Sequence, residues 1–149
     1  MRVVAQRVLS ASVSVSEKNL YSSISRGLTL LVNFEKDDKE EEVSLFCEKI
    51  CKLRLFQSEK MPLDLSLLDI KGELLIVPQF TLLANTSKGL RPSFERSENP
   101  NRANELFEYM FNVLKEKVVV RKGFFGEHMK VSLVNDGPVT IIFDTKMNL

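Results

Sequence analysis

Val134-Asn135-Asp136-Gly137-Pro138-Val139-Thr140 lies between two apolar strand runs, Met129, Val131, Leu133 before it and Val139, Ile141, Phe143 after it. Proline brings no N–H to a sheet ladder, so the Gly-Pro pair interrupts or caps a strand. Glycine, with no side chain, lets another surface approach its backbone closely. The bond before proline is also the one peptide for which the cis form is cheap, about 0.5–1 kcal/mol above trans. Taken alone, the stretch also fits an ordinary Asp-Gly-Pro hairpin turn.

Outward from this stretch, the chain mixes strands and helices. Ser10-Ala11-Ser12-Val13-Ser14-Val15-Ser16 alternates small polar and apolar residues, the pattern of a half-buried strand. Arg2 to Leu9 is also strand-like, and period-two counting puts Arg7 on one face with Val3, Ala5 and Leu9. An arginine there needs acceptors, or an edge position from which its guanidinium reaches water. Leu28 to Phe34 reads as a buried strand. Asp37 or Asp38 is the expected cap of a helix whose buried stripe is Val43, Phe46, Ile50 and Leu53. Gln57 to Asp64, with Pro62, reads as a loop, and Glu73 to Gln79 as a strand ending at Phe80-Thr81. Asn99-Pro100 places asparagine at N-cap and proline at N1 of a second helix, with Ala103, Leu106, Phe107, Met110 and Leu114 facing inward. Val118 to Val120 is a short strand and Gly123-Phe124-Phe125-Gly126 a turn. Without regular strand–helix alternation, the order favours a single α+β domain over residues 1–149 rather than a doubly wound sheet.

A chain of 149 residues suits one domain, and 44% hydrophobic with 28% charged residues is ordinary for a globular protein. No apolar run is long enough to cross a bilayer, and the chain opens on Arg2 and a strand rather than a signal peptide, so a cytoplasmic location is expected. Cys47 and Cys51 are four apart on a helix and read as reduced, partly buried thiols. A disulfide there would close too small a loop to stabilise much. His128 is the one histidine, too few ligands for a four-coordinate zinc site and no support for a Ser-His-Asp triad. Phosphate-binding glycine loops and a nucleophile elbow are absent. No metal and no cofactor are therefore expected. A net charge of +1 carries no global signature of nucleic acid. Two local basic groups stand out, Lys88, Arg91, Arg96, Arg102 and Lys115, Lys117, Arg121, Lys122, Lys130. Either engages phosphates or is solvated surface.

Val77-Pro78-Gln79-Phe80-Thr81-Leu82 and Asn85-Thr86-Ser87-Lys88-Gly89-Leu90-Arg91-Pro92-Ser93-Phe94, taken with Asn135 to Thr140, closely resemble the D-aminoacyl-tRNA deacylases. That family carries Ser-Gln-Phe-Thr, Gly-x-Arg-Pro-Ser-Phe and Asn-x-Gly-Pro-Val-Thr in this order. The likeness extends through Arg2 to Val8, Ala11-Ser12-Val13, Gly27-Leu28, Glu35 to Asp38 and Lys52 to Phe56. It covers Met1 to about Asp144 and leaves a short tail, 145–149.

The resemblance implies a barrel-like, largely antiparallel sheet with two main helices, assembled as a two-fold homodimer. The implied activity is hydrolysis of the D-aminoacyl-tRNA ester, with glycyl-tRNA(Ala) as a further substrate. Gln79, Phe80 and Thr81 match the catalytic motif. Main-chain amides of Phe80 and Thr81 would stabilise the oxyanion, and the terminal ribose 2′-hydroxyl would assist water. Gly137 and Pro138, joined cis, would enter the partner's pocket and exclude L-residues, with Arg7 holding the partner's loop. Phe125 and Met129 match an adenosine pocket for the tRNA 3′ end, and Lys88 and Arg91 a tRNA contact. By residue pattern alone, Phe125 and Met129 are equally plain core, and Thr81 is a packing or hydrogen-bonding position.

Two departures stand out. Pro78 replaces the family's usual serine and removes a hydroxyl and an N–H. If either is required, the chain is a non-catalytic tRNA-binding or interaction protein on the same fold. A general small-molecule esterase is the third reading. Lys60-Met61-Pro62-Leu63 looks like a short insertion, expected to reshape a loop near the site.

Overall fold

The computed structural model describes residues 1–147. In order these form β1 (Arg2–Val15), β2 (Leu20–Ile24), β3 (Gly27–Asn33), α1 (Glu40–Lys52), β4 (Arg54–Phe56), β5 (Leu65–Ser66), β6 (Glu73–Pro78), α2 (Pro100–Lys115), β7 (Val119–Lys122) and β8 (Lys130–Asp144), with 3-10 turns at Ser16–Lys18 and Phe80–Leu83. The main sheet runs β2-β1-β3-β6-β7, with β8 added along β1. Strand β1 pairs antiparallel with β2, β3 and β8, while β3, β6 and β7 are mutually parallel. The architecture is thus α+β, a mixed sheet nearly closed into a barrel, with two helices. Strands β4 and β5 form a separate small antiparallel pair.

The expected strands over Arg2 to Leu9 and Ser10 to Ser16 are one continuous β1. Its alternation slips in the middle: Arg7 and Val8 are both buried and Leu9 is 53% exposed. The cause lies across the ladder. Gln6 pairs with Thr140 but Val8 pairs with Asn135, so residues 136–139 bulge out of β8 opposite Arg7. The Gly-Pro pair therefore does not reverse the chain as a hairpin would. The runs on both sides of it pair with the same strand. The Gly137–Pro138 peptide is cis and Gly137 has φ 131°, a conformation open to glycine.

Strand β6 is buried on both faces, as a parallel strand under two layers must be. Leu74 and Ile76 join the large core under the helices, while Leu75 and Val77 join a smaller cluster with Val8, Ala11, Val13 and Ile24. Helix α1 buries Val43, Phe46, Cys47, Ile50 and Cys51, and Phe46 meets Phe143 edge-on at 5.4 Å. Leu53, expected in that stripe, follows the last helical turn and is only partly buried. Both thiols are fully buried and unpaired, and desolvation pushes them up, Cys47 to about 12 and Cys51 to about 11.

Helix α2 opens as its sequence predicts: Asn99 accepts from the Arg102 amide at 3.0 Å, and its five expected apolar residues are buried. Helix α1 does not. Lys39 is its N-cap, and the Glu42 carboxylate reaches back to the Lys39 amide at 2.9 Å. Asp38 instead pairs with the buried Met1 ammonium at 2.6 Å and accepts from the Glu35 amide. Its desolvation, outweighing those contacts, pushes the carboxyl up. Asp37 takes a left-handed turn, φ 72°. Of the expected tail 145–149, residues 148 and 149 lie outside the described residues.

Candidate functional site

Three parallel strands end side by side, and the pocket opens where they stop. Strand β3 ends at Asn33, β6 at Pro78, and β7 runs out just before Gly123. Parallel strands leave their last carbonyls and the turns that follow at one edge, the usual place for a binding crevice. A cavity of about 710 Å³ lies there, lined by Asn33, Gln79, Phe80 and Phe94 on one side and Phe125, His128 and Met129 on another. A smaller depression of about 420 Å³ between Glu42, Leu45, Lys49 and Thr145 carries none of the motif residues.

The Gln79-Phe80-Thr81 segment is shaped by how β6 terminates. The Gln79 amide makes a last ladder bond to Val32 O at 2.8 Å, after which the chain tightens into the 3-10 turn. Phe80 and Thr81 lead that turn, so no earlier turn supplies acceptors for their N–H groups. None is found among the described residues. Phe80 is 60% exposed and rests edge-on against Phe94 at 4.9 Å. The Thr81 hydroxyl accepts from the Gln79 side chain and does not line the cavity.

Pro78 fits this arrangement without a broken ladder. It is the final residue of β6, beyond the last β6–β7 pair, Ile76 with Lys122. Its ring lies against Gly123, where an added Cβ would come within 3.3 Å of Pro78 Cδ and 3.1 Å of Met129 Sδ. The Met129 sulfur accepts from the Phe124 amide at 3.2 Å, which sets the thioether in the pocket wall. Phe125 packs on Phe107 of α2, 6.1 Å between centroids.

Gln79, Phe80, Phe125 and Met129 therefore share one cavity within a single chain. Gly137, Pro138 and Arg7 do not line it. The Gly-Pro pair is exposed on the outermost strand β8, which pairs only with β1 among the described residues. Arg7 is 7% exposed and is neither at an edge nor reaching for water. It donates to Leu55 O at 2.7 Å and to Asp136 O at 3.0 Å of its own chain, so within the chain it holds its own Gly-Pro loop.

Lys88 and Arg91 project from an exposed loop pinched by paired Asn85–Ser93 amide bonds, outside the cavity. Several of the basic groups are neutralised: Arg96 by Glu35, Arg102 by Glu105, Lys117 by Glu48 and Lys122 by Glu108. The 57–64 loop joins β4 to β5 and does not line the cavity. Among the described residues no group of three or more His, Cys, Asp or Glu side chains is placed to hold a metal. No helix is long and apolar enough to cross a membrane.

Two pocket residues, Asn33 and Ser97, escape a reading of the sequence; both donate to the Phe80 carbonyl. His128 stands exposed at the rim, as a lone histidine beside a strand is expected to. The one available signal is Asn33 itself, a polar residue closing an apolar strand.

The fold is a single α+β domain, a mixed sheet nearly closed into a barrel with a crevice at the ends of three parallel strands, walled in part by Phe125 and Met129. The family model for D-Tyr-tRNA(Tyr) deacylase matches residues 4–144. Curated relatives named D-aminoacyl-tRNA deacylase include one from Clostridium botulinum (strain Alaska E43 / Type E3), 48% identical over 99% of both chains, and one from Thermosipho africanus (strain TCF52B), 48% identical over 98% of both. The solved structure of a c-Myc DNA Unwinding Element Binding Protein superposes with TM-score 0.89 at 33% identity, covering 97% of this chain and 98% of that one. A probable eukaryotic D-amino acid tRNA deacylase, at 16% identity and TM-score 0.81 over 95% and 97% of the two chains, shares the fold. The chain belongs to the D-Tyr-tRNA(Tyr) deacylase family.

Proposed function

We propose that the protein hydrolyses the ester of D-aminoacyl-tRNA, releasing the D-amino acid and tRNA, and so removes wrong-handed residues before translation. It is a hydrolase of the aminoacyl-tRNA ester bond, with tRNA as its substrate and the cytoplasm as its place of work. The observation that carries this reading is the unpartnered amide of Phe80, a residue lining the cavity that Phe125 and Met129 also wall, with the unpartnered Thr81 amide next to it in the chain.

In this reading the terminal adenine lies against Phe125 and Met129, a ring and a soft thioether suited to a base. The ester carbonyl then sits over the Phe80-Thr81 turn. Water adds to the carbonyl carbon, and the two amides meet the charge that develops on its oxygen. The bond to the ribose 3′-oxygen breaks, and that oxygen leaves with a proton. A preorganised donor of this kind is worth roughly 10²–10³ in rate. The ribose 2′-hydroxyl orients the water, a role that asks for no metal or cofactor. Gln79 orients Thr81, and Lys88 and Arg91 meet phosphates of the acceptor end.

Chirality is read by exclusion. A second copy, docked along the open edge of β8, brings Gly137 and Pro138 over the cavity. Their carbonyls occupy the space where an L-residue would put its side chain. Arg7 keeps each wedge in shape from within its own chain. Glycine, with no side chain, passes such a filter, so glycyl-tRNA(Ala) is also cleaved.

The test is turnover of D-Tyr-tRNA beside L-Tyr-tRNA, and of D-Tyr-tRNA ending in 2′-deoxyadenosine. The expected result is cleavage of the D-ester alone, a large loss with the deoxy substrate, and retained turnover in Thr81→Ala. Total loss in Thr81→Ala with the deoxy substrate still cleaved would make the threonine hydroxyl the nucleophile. No turnover of any tRNA ester would leave the non-catalytic binding protein, and cleavage of a simple activated ester without RNA the general esterase. Sedimentation showing an active monomer at micromolar concentration would remove the cross-subunit wedge.

A further inference from the structure

Two side chains, themselves hydrogen-bonded to each other, converge on one main-chain oxygen at the pocket. Asn33 Nδ2 donates to the Phe80 carbonyl at 2.6 Å and to Ser97 Oγ at 2.9 Å. Ser97 Oγ in turn donates to the same carbonyl at 3.3 Å. A carbonyl cannot donate, so the Asn33 amide must present its nitrogen here. Asn33 is 5% exposed at the end of β3, and burying an amide is costly unless it is bonded. Ser97 arrives from the loop before α2, and that loop is itself fastened to the strand. Lys36 N donates to Arg96 O at 3.0 Å, Glu98 N to Phe34 O at 3.0 Å, and Arg96 Nε pairs with Glu35 Oε1 at 2.9 Å.

The peptide plane turns this clamp into a positioning device. The Phe80 carbonyl and the Thr81 N–H belong to one rigid planar unit and point in opposite directions. Fixing the carbonyl on the Asn33–Ser97 side aims the Thr81 N–H the other way. We infer that Asn33 and Ser97 are positioning residues for deacylation: by holding the Phe80 carbonyl they aim the Thr81 N–H at the oxygen that gains charge. This rests on the deacylase reading of the same pocket. It adds that the donor is aimed by two side chains outside the Gln79-Phe80-Thr81 motif.

The experiment is steady-state hydrolysis of D-Tyr-tRNA by the full-length protein and its variants. Asn33→Asp keeps the shape but cannot donate, and it sets a carboxylate against the carbonyl. It is expected to lower kcat about tenfold or more with KM unchanged, because the misaimed donor acts in the transition state. Ser97→Ala is expected to lower kcat about threefold, on the scale of one hydrogen bond. Ser97→Thr, which keeps the hydroxyl, should retain more of it. The double variant Asn33→Asp/Ser97→Ala should be no worse than Asn33→Asp alone, since both act through one oxygen. A kcat within twofold of wild type in Asn33→Asp, or a rise in KM at constant kcat, overturns the inference. If Asn33→Asp does not fold, an unchanged kcat in Ser97→Ala overturns it equally. Wild-type protein that leaves D-Tyr-tRNA intact overturns the deacylase reading and takes this inference with it. Active wild type with unaltered variants overturns the clamp alone.

Discussion

Arg7 and Asp136 meet twice across the β1–β8 ladder: Arg7 Nε donates to the Asp136 carbonyl at 3.0 Å and lies 3.3 Å from its carboxylate. The same guanidinium donates to Leu55 O, so one buried side chain ties the Gly-Pro bulge to β4. Arg7→Met removes every donor and leaves buried acceptors unpaired. The expected cost is about 2–4 kcal/mol in urea denaturation. The ratio of D- to L-Tyr-tRNA turnover should fall with it, because the bulge loses its anchor. Arg7→Lys should recover less than half of the stability, since a point charge cannot span the two acceptors as a planar fork does.

Gly137 is the second constraint on that bulge. An added Cβ would lie 3.0 Å from Val139 Cγ2 and N and 3.1 Å from Arg7 Nη2, in a backbone conformation that side chains rarely adopt. Gly137→Ala is therefore expected to cost about 1–3 kcal/mol and to shift the Arg7 head. Thermal melts give the stability. The selectivity readout is D- against L-Tyr-tRNA turnover, and discrimination should weaken even where the protein remains folded.

What could be read from the sequence tracks how local each determinant is. The cap of α2 is a short-range affair of Asn99 and Pro100, and it stands as read. The buried run Leu74 to Val77 and the five inward residues of α2 follow periodicity and are equally plain. Strand β8 is different. Gly137-Pro138 carries every local mark of a break, yet the strand resumes because Thr140 to Phe143 finds the same partner, β1, that Val131 to Asn135 has. Asp38 is a good local cap diverted by the Met1 ammonium, 37 residues away in sequence. Strands β4 and β5, of three and two residues, are too short for any alternation to show. Within the site, Gln79 and Phe80 are legible as pocket residues through their motif, and Phe125 and Met129 only through the family resemblance. Asn33 and Ser97 meet only in three dimensions, and so did Arg7 with its own chain's loop.

Glu35 ties the loop before α2 to the strand below it, and its titration makes the tie sensitive to acid. The hydrogen bond from Arg96, the largest influence, holds its carboxyl below the 4.5 of a free glutamate against the opposing effect of burial. A depressed carboxylate stabilises the fold fully above its unfolded value and loses that contribution as pH falls through the lower folded value. Wild type should therefore lose stability below pH 4.5, and Glu35→Gln should show a shallower slope in that range while being less stable at neutral pH. Urea midpoints measured from neutral pH down to about pH 3 test this. The slope should not vanish, because Asp144 is also held low: its burial is outweighed by Arg2 and the Lys146 amide.

Gly123 is where Pro78 and the pocket wall constrain each other. A Cβ at this position would stand 3.1 Å from Met129 Sδ, 3.3 Å from Pro78 Cδ and 3.5 Å from Val77 Cα. The first two contacts are tighter than a Cβ normally makes, so something must yield by a few tenths of an ångström. The proline ring has little freedom, being fixed at φ near −65° at the end of a buried strand. The thioether has rotatable bonds and is the part that moves. Its sulfur holds the Phe124 amide, so moving it disturbs the wall proposed above to take the adenine. Gly123→Ala should then raise KM for D-Tyr-tRNA several-fold, by roughly the 1 kcal/mol of one mispacked contact, with a smaller effect on kcat. Replacing the ring relieves one of the two clashes, so Gly123→Ala/Pro78→Ala should have a lower KM than Gly123→Ala. If the pair of changes is strictly additive, Pro78 and Gly123 do not share a contact that matters, and the proline is indifferent to the pocket.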